Sequence, residues 1–189
     1  MIKAVIFDFD GVIADTEHIH FEAFKNVLNM QKYDITESEY YSEYLAYDDK
    51  TFFSKYYENN GYKLDSKLLN RLVKKKSQEY DALIEDNIRV YPGIVDFIKL
   101  LSGRYTLAIG SGALKKEIVQ ILQVVNLADL FKIIISADDI SECKPNPEVY
   151  NTVLARLNSN RDKIIRPEEC IVIEDSVYGI RAAKGAGMK

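Results

Sequence analysis

The chain has 189 residues, of which 47% are hydrophobic and 29% charged, as in a globular protein of one domain or one domain with an insertion. The net charge of −4 gives no basic excess of the kind that favours nucleic acid or an anionic membrane as a partner. The two cysteines have neither metal-binding nor redox spacing, and the N-terminus enters a predicted strand without a signal peptide. We therefore expect a cytoplasmic protein that binds neither nucleic acid nor membranes.

Short apolar runs alternate with helical patterns along most of the chain. Such runs are typical of parallel strands covered on both faces, and their alternation with helices predicts an α/β fold with a doubly wound, Rossmann-like parallel sheet. The predicted strands are 4–9, 106–109, 132–135 and 170–173, and the predicted helices between them are 94–101, 114–125, 147–157 and 177–184.

Residues 16–88 depart from this alternation because they contain helical patterns only. Nine of the 13 tyrosines lie in this block, and we expect them to pack in a core. An all-helical block after the first strand predicts an inserted cap domain. The predicted domains are therefore an α/β core domain with the active site, made of 1–15 and 89–189, and a helical cap domain over 16–88.

Polar and reactive residues stand at the ends of the predicted strands, where open α/β sheets bind their ligands. Strand alternation places Asp8 and Asp10 on one side, and the glycine after them allows a sharp turn. The residues expected to meet in one cleft are Asp8, Asp10, Ser111, Lys144, Glu174 and Asp175. Four carboxylates repel one another unless a divalent cation lies among them, and oxygen ligands with room for water favour Mg²⁺.

An anion site is predicted beside these carboxylates. Ser111 and Gly112 are predicted to lie at a helix N-terminus, where backbone N–H groups and the helix dipole attract anions, and Lys144 adds a positive charge. Pro147 is expected to start the following helix, with Asn146 as its cap. A cation site, an anion pocket and a spare carboxylate together suggest phosphoryl transfer onto an aspartate. Taken alone, Ser111 is explained equally well as a helix cap, and a surface lysine is an alternative explanation of Lys144.

Four motifs in this order resemble those of the haloacid dehalogenase-like phosphatases: DFDGV at 8–12, the serine after strand two, the lysine of KPNP and the EDS after strand four. The helical insert resembles their type C1 cap, in the branch of β-phosphoglucomutase and related phosphatases. The resemblance implies that Asp8 attacks phosphorus and that Asp10 acts first as acid and then as base. Relatives that cleave C–halogen or C–P bonds lack an acid at the position of Asp10, so those reactions are set aside.

The resemblance also implies the binding roles of the remaining residues. Ser111, Gly112 and Lys144 would hold the phosphoryl oxygens. Mg²⁺ would be held by the Asp8 carboxylate, the Asp10 carbonyl and Asp175, with Glu174 bound directly or through water.

The cap of this chain departs from the mutases that it resembles. Thr16 and His20 match positions beyond the nucleophile loop, and Lys76 matches a phosphate-contacting lysine, although a solvated lysine face is as good an explanation of Lys76. Where the mutases resembled have a phosphate-binding arginine, this chain has the acidic stretch YDDK at 47–50, and Lys50 is the nearby cation. Lysine is a poorer bidentate clamp than arginine, so the cap favours a phosphatase.

The sequence therefore predicts a monomeric, Mg²⁺-dependent phosphatase of a small phosphorylated metabolite, such as a sugar phosphate, that works through an aspartyl phosphate. Two alternatives stay open: a β-phosphoglucomutase-type mutase, and a non-enzymatic aspartyl-phosphate receiver. The family resembled continues into a fifth strand after residues 185–188, so strand four is expected at a sheet edge.

Overall fold

Residues 1–45, 47–159 and 162–189 are described by the computed structural model, without the side chains of 85–87. The chain divides into two units, which are Met1–Asp15 with Arg89–Lys189, called the core unit, and Thr16–Ile88, called the cap unit. In chain order the strands and helices are β1 Ala4–Phe7, α1 Glu17–Met30, α2 Glu37–Glu39, a π-helical turn Tyr40–Tyr44, α3 Asp49–Asn59, α4 Ser66–Asn87, α5 Ile94–Ser102, β2 Thr106–Gly110, α6 Lys115–Val124, β3 Phe131–Ile135, α7 Glu148–Asn158, β4 Cys170–Ile173 and α8 Val177–Gly185.

The four described strands form one parallel sheet in the order β3-β2-β1-β4. In the register of this sheet Ala4 of β1 lies opposite Thr106 of β2 and Cys170 of β4. Buried β1 is therefore central, as its apolar sequence predicts. The prediction of a doubly wound parallel sheet is confirmed.

Helices cover both faces of this sheet. Side chains alternate along β1, so Ile6 packs with Tyr150 of α7 and Ala182 of α8, whereas Phe7 points to the other face. There the Phe7 ring meets that of Phe97 in α5, with 6.4 Å between ring centroids. Apolar side chains therefore pack on both faces of β1.

The strand β4 lies at one edge of the described sheet, as expected. The backbone of Lys189 pairs with it, because the Val172 N–H donates to the Lys189 carbonyl at 2.7 Å and the Lys189 N–H donates to the Cys170 carbonyl at 3.2 Å. Between residues 1 and 189, no described helix combines the length and the apolar character that crossing a bilayer requires.

The cap unit is built on an aromatic core. Phe24 of α1 stacks on Phe52 of α3 with 3.7 Å between ring centroids, and buried tyrosines surround this pair. The buried tyrosines of the cap are Tyr40, Tyr44, Tyr56, Tyr57 and Tyr80. The expectation that the cap tyrosines serve mainly as packing is confirmed for these five residues.

Candidate active site

The carboxyl end of β1 presents the first acidic residue of the site. The strand ends at Phe7, two residues earlier than predicted, but the Asp8 N–H still donates to the Ile173 carbonyl of β4 at 2.9 Å. The chain then turns, and Gly11 adopts a left-handed conformation with φ +77°. A Cβ at Gly11 would overlap the carboxylate of Asp175, so this turn requires glycine for both conformation and space.

A lysine joins two of the predicted carboxylates. Lys144 Nζ lies 2.9 Å from Asp8 Oδ1 and 2.5 Å from Glu174 Oε1. Asp8 Oδ1 also accepts the Phe9 N–H at 2.8 Å. The side chains of Asp8 and Glu174 are only 11% and 2% exposed, so water screens these charges weakly. The ion pairs therefore fix the orientation of the Asp8 carboxylate.

One carboxylate oxygen from each of Asp8, Glu174 and Asp175 lies within 4.8 Å of the other two. When all three groups are ionised, Lys144 compensates only one of the three negative charges. An all-oxygen donor set with excess negative charge suits a hard divalent cation. The residues present therefore fit a divalent metal ion.

Burial and like charges perturb the titration of these acids. Burial raises the pKa of Asp8 to about 7, with Glu174 and Asp10 adding to the rise and Lys144 opposing it. Burial and Glu174 also raise the pKa of Asp175. For Glu174, burial raises the pKa, but the ion pair and hydrogen bonds from Lys144, Ser176 and Tyr150 outweigh it, so its pKa lies below the usual value. Such opposed shifts are typical of a functional site.

Half-buried Asp10 follows Asp8 in the turn. Residues 10 and 14 form an isolated bridge, and the Gly11 N–H donates to the Ala14 carbonyl at 3.0 Å. The charge of Asp10 contributes to the raised pKa of Asp8, as expected for a neighbouring acid.

The prediction that Ser111 and Gly112 lie at a helix N-terminus is wrong, because α6 begins at Lys115. Ser111 is buried at the carboxyl end of β2, and its N–H donates to the Ile135 carbonyl of β3 at 3.0 Å. The Ser111 hydroxyl accepts the Ala113 N–H at 3.1 Å, which closes a turn before the helix. Gly112 is exposed in this turn. Both residues therefore precede the first turn of α6.

The helix after Lys144 also begins later than predicted. It starts at Glu148, and Pro147 precedes it. Asn146 still acts near the helix start, since its side-chain oxygen accepts the Glu148 N–H at 2.9 Å. This turn carries Lys144 back to the carboxyl ends of β1 and β4.

In the cap unit, two of the four predicted substrate residues are in direct contact. Lys76 Nζ lies 2.7 Å from His20 Nδ1 and 2.8 Å from Asp49 Oδ1. Because an ammonium has donors only, His20 Nδ1 is the acceptor. Burial and the charge of Lys76 lower the pKa of His20, which keeps its ring neutral.

The other two predicted cap residues lie outside this contact. Thr16 is buried directly before α1, and its carbonyl accepts the His20 N–H at 3.0 Å. Lys50 is exposed near the start of α3, and its N–H donates to Asp48 Oδ1 at 2.9 Å. The cation predicted to replace the missing arginine is therefore on the surface of the cap unit.

The sequence model of the haloacid dehalogenase-like hydrolases matches residues 5–189. The chain belongs to this hydrolase family. The predicted family and the prediction of an enzyme are therefore confirmed. Because the family consists of hydrolases, the alternative of a non-enzymatic aspartyl-phosphate receiver is excluded.

This hydrolase is similar to three proteins of known name. It is 30% identical over 194 residues to the phosphorylated carbohydrates phosphatase of Thermotoga maritima, covering 100% of this chain and 83% of the relative. It is 30% identical over 203 residues to the β-phosphoglucomutase of Bacillus subtilis, covering 99% and 81%. The crystal structure of CbbY from Rhodobacter sphaeroides with phosphate aligns with a TM-score of 0.86 at 26% identity, covering 100% and 84%.

Three residues that surround Glu174 were not predicted as site residues: Tyr150, Ser176 and Gly179. The Tyr150 hydroxyl donates to Glu174 Oε1 at 2.9 Å, and the Ser176 N–H and hydroxyl donate to Glu174 Oε2 at 3.0 and 2.9 Å. A Cβ at Gly179, inside α8, would overlap the Glu174 carboxylate. Glycine is unfavourable within a helix, so Gly179 was a sequence signal of close approach. Tyr150 gave no such signal because its position fits the apolar face of α7.

Proposed function

We propose that this hydrolase is a Mg²⁺-dependent phosphatase of a small phosphorylated metabolite, such as a sugar phosphate, and that an aspartyl phosphate forms on Asp8. The observation that carries this proposal is the Asp8 carboxylate, held by Lys144 within an acidic group at the carboxyl end of β1. A buried carboxylate oriented by two donors on one oxygen offers its second oxygen, Oδ2, for attack.

In the first step, an Asp8 oxygen attacks phosphorus, and the bond from phosphorus to the ester oxygen breaks. Asp10 gives its proton to the leaving alcohol oxygen, so that no free alkoxide is released. Lys144 and the Ser111 hydroxyl donate hydrogen bonds to the phosphoryl oxygens, and Gly112 adds a backbone donor from its exposed turn.

In the second step, water attacks the phosphorus of the aspartyl phosphate. Asp10, now ionised, takes a proton from this water, and the bond from phosphorus to the Asp8 oxygen breaks. Inorganic phosphate leaves, Asp8 is again a carboxylate, and Asp10 is again protonated.

The residues that would hold Mg²⁺ are the carboxylates of Asp8 and Asp175, the Asp10 carbonyl and Glu174, the last directly or through water. When bound, the ion would neutralise the excess negative charge and polarise the phosphoryl group. The fit of the acidic group to a divalent cation supports this assignment.

We assign substrate contacts in the cap to Thr16, His20, Lys50 and Lys76. The relative from Thermotoga maritima is named for phosphorylated carbohydrates, which supports a sugar phosphate as the substrate class. A carbohydrate presents hydroxyl groups, for which the neutral ring of His20 and the hydroxyl of Thr16 are suitable partners.

A sugar-phosphate mutase is the second candidate, because the Bacillus subtilis relative is named β-phosphoglucomutase. A mutase must hold a second phosphate in addition to the one transferred. In this chain the Lys76 ammonium is already paired with Asp49 at 2.8 Å. This balanced pair has no net positive charge to attract a second phosphate, whereas Mg²⁺ would supply that charge at the core site, so the contact favours the phosphatase.

Phosphate release from a panel of sugar phosphates, phosphoglycolate and an aryl phosphate, with and without Mg²⁺, tests the proposal. β-Glucose 1-phosphate with its bisphosphate activator is run in parallel to detect isomerisation. We expect Mg²⁺-dependent release of phosphate from simple esters. Isomerisation with little phosphate release would establish the mutase instead, and full activity in a chelator would refute the metal site.

The lifetime of the aspartyl phosphate separates turnover from signalling. A lifetime of seconds or less, measured by quenching radiolabelled protein, fits a phosphatase. A lifetime of many minutes would contradict the role of Asp10 as the base of the second step.

A further inference from the structure

Four donors surround the Glu174 carboxylate, two on each oxygen. Oε1 receives Lys144 Nζ at 2.5 Å and the Tyr150 hydroxyl at 2.9 Å. Oε2 receives the N–H and the hydroxyl of Ser176. Each carboxylate oxygen therefore accepts two hydrogen bonds from protein groups. This residue is therefore fixed by protein groups before any ligand binds.

Tyr150 contacts both members of the Lys144–Glu174 pair. The tyrosine is fully buried in the first turn of α7, and its ring centroid lies 5.3 Å from Lys144 Nζ. Its hydroxyl shares Glu174 Oε1 with that same ammonium. Burial, with the charges of Asp8 and Glu174, raises the pKa of Tyr150, so the hydroxyl is protonated and acts as donor.

The ring of Tyr150 is closely packed against the sheet. A Cβ at Gly110, the last residue of β2, would lie 3.2 Å from two ring carbons of Tyr150 and from Val153. The tyrosine ring thus packs directly on the strand end beside Ser111, and Val149 and Val153 of α7 are buried with it. The sheet therefore sets the position of the hydroxyl.

We propose that Tyr150 is a positioning residue of the phosphatase, which acts through Glu174 to hold Lys144 beside Asp8. This inference rests on the proposed function, because Lys144 is the group that binds the transferring phosphoryl oxygens. The hydroxyl fixes Glu174 Oε1, Glu174 fixes the Lys144 ammonium, and the ammonium lies 2.9 Å from Asp8 Oδ1. Tyr150 itself touches no reacting atom.

The test compares Tyr150→Phe with the unaltered protein and with Glu174→Ala in a double-mutant cycle. We expect Tyr150→Phe to lower kcat about tenfold with KM almost unchanged, as loss of a hydrogen bond to a charged group does when it matters in the transition state. In the Glu174→Ala background the same change should have no further effect, because the acceptor is absent. Tyr105→Phe, in the core unit before β2, is the matched control and should leave kcat unchanged.

Equal losses of kcat in both backgrounds, or no loss in either, would overturn the inference.

A second measurement is the NMR signal of Lys144 Nζ in ¹⁵N-labelled protein, which requires neither activity nor the Glu174 variant. The signal is assigned by its loss in Lys144→Arg. A held ammonium gives a sharp signal, which should broaden in Tyr150→Phe and stay sharp in Tyr105→Phe. An unchanged Lys144 signal in Tyr150→Phe would refute positioning. Failure of the unaltered protein to release phosphate would instead refute the proposed function, and the Lys144 signal would still decide the role of Tyr150.

Discussion

Each unit of this hydrolase contains a lysine that forms ion pairs with carboxylates, and the two lysines differ in how many acidic groups surround them. In the core unit, Lys144 contacts Asp8 and Glu174, and Asp175 lies close to both acids. In the cap unit, Lys76 contacts one carboxylate, that of Asp49. The core cluster therefore keeps excess negative charge, whereas the lysine and the acid of the cap cluster balance each other.

The two clusters also differ in how they are built. The core cluster lies where strands end, and its acids stand in the segments that directly follow β1 and β4. The cap cluster joins α1, α3 and α4, and the Lys76 ammonium lies 4.7 Å from the Phe24 ring centroid and 5.1 Å from that of Tyr80. A balanced pair among aromatic rings stabilises helix packing. An unbalanced cluster lowers the stability of the fold when no cation is bound. Such a cost is typical of a functional site.

The largest expected effect is the loss of turnover on changing Asp8→Asn. An amide is not a nucleophile toward phosphorus, so we expect kcat to fall by at least about 10³-fold, as for other enzymes that lose their nucleophile. Circular dichroism should show an unchanged fold. Asp129→Asn, an exposed aspartate of the same unit, is the control. Substantial activity in Asp8→Asn would remove it as the nucleophile.

Changing Lys144→Met should have the next largest effect on activity. The variant removes a donor to the phosphoryl oxygens and leaves Asp8 and Glu174 facing each other without compensation. We expect kcat to fall about 10²- to 10³-fold, the usual cost of losing one charge-stabilising group. Steady-state kinetics on an aryl phosphate measures this, with the exposed Lys99→Met as control. A loss below tenfold would show that Lys144 only balances charge.

Changing Lys76→Met measures what the buried pair of the cap contributes to stability, separately from any substrate contact. Removing one partner of a buried pair leaves the other uncompensated, and because Asp49 is 30% exposed we expect a loss of about 2 kcal/mol in the free energy of unfolding. Urea denaturation of Lys76→Met, Asp49→Asn and the double variant measures it. The double variant should lose less than the sum of the single losses. Additive losses would show that the two residues are not coupled.

The smallest effect concerns metal-free protein and pH. The pKa of Asp8 is raised from 3.8 to about 7, so folding disfavours its ionised form, and the unaltered protein loses stability as the pH rises from about 4 to 7. Asp8→Asn escapes this loss, so in chelator its Tm should exceed that of the unaltered protein at pH 8, by about 2–4 °C for each kcal/mol that the ionised form costs. The gain should vanish near pH 4. A gain that grows toward low pH would contradict the assigned pKa.

The sequence predicted the sheet well because local patterns determine its strands. The run 170–173 coincides with β4, and the rule that parallel strands bind ligands at their carboxyl ends led to Asp8, Lys144 and Glu174. The late start of α6 could not be predicted, because its preceding turn depends on the Ala137 N–H, which donates to the distant Ala113 carbonyl at 3.0 Å.

Side-chain partners distant in the sequence were the part that could not be predicted. Lys76 was predicted as a substrate contact, but Asp49 lies on another helix and no local pattern joins the two. Tyr150 has the spacing of a core residue, and only the packed structure shows that its hydroxyl meets Glu174. Sequence patterns indicate which backbone positions are buried, whereas the contacts of a buried polar atom depend on tertiary packing.

The most direct test of the central claim is mass spectrometry of Asp10→Asn protein, quenched in acid during reaction with a substrate found by the panel. Without the base of the second step, the phosphorylated enzyme should accumulate. The account predicts a single phosphoryl group on the peptide that contains Asp8, absent from the Asp8→Asn, Asp10→Asn double variant. A phosphoryl group on another residue, or turnover by the Asp10→Asn variant with no phosphorylated protein, would contradict it.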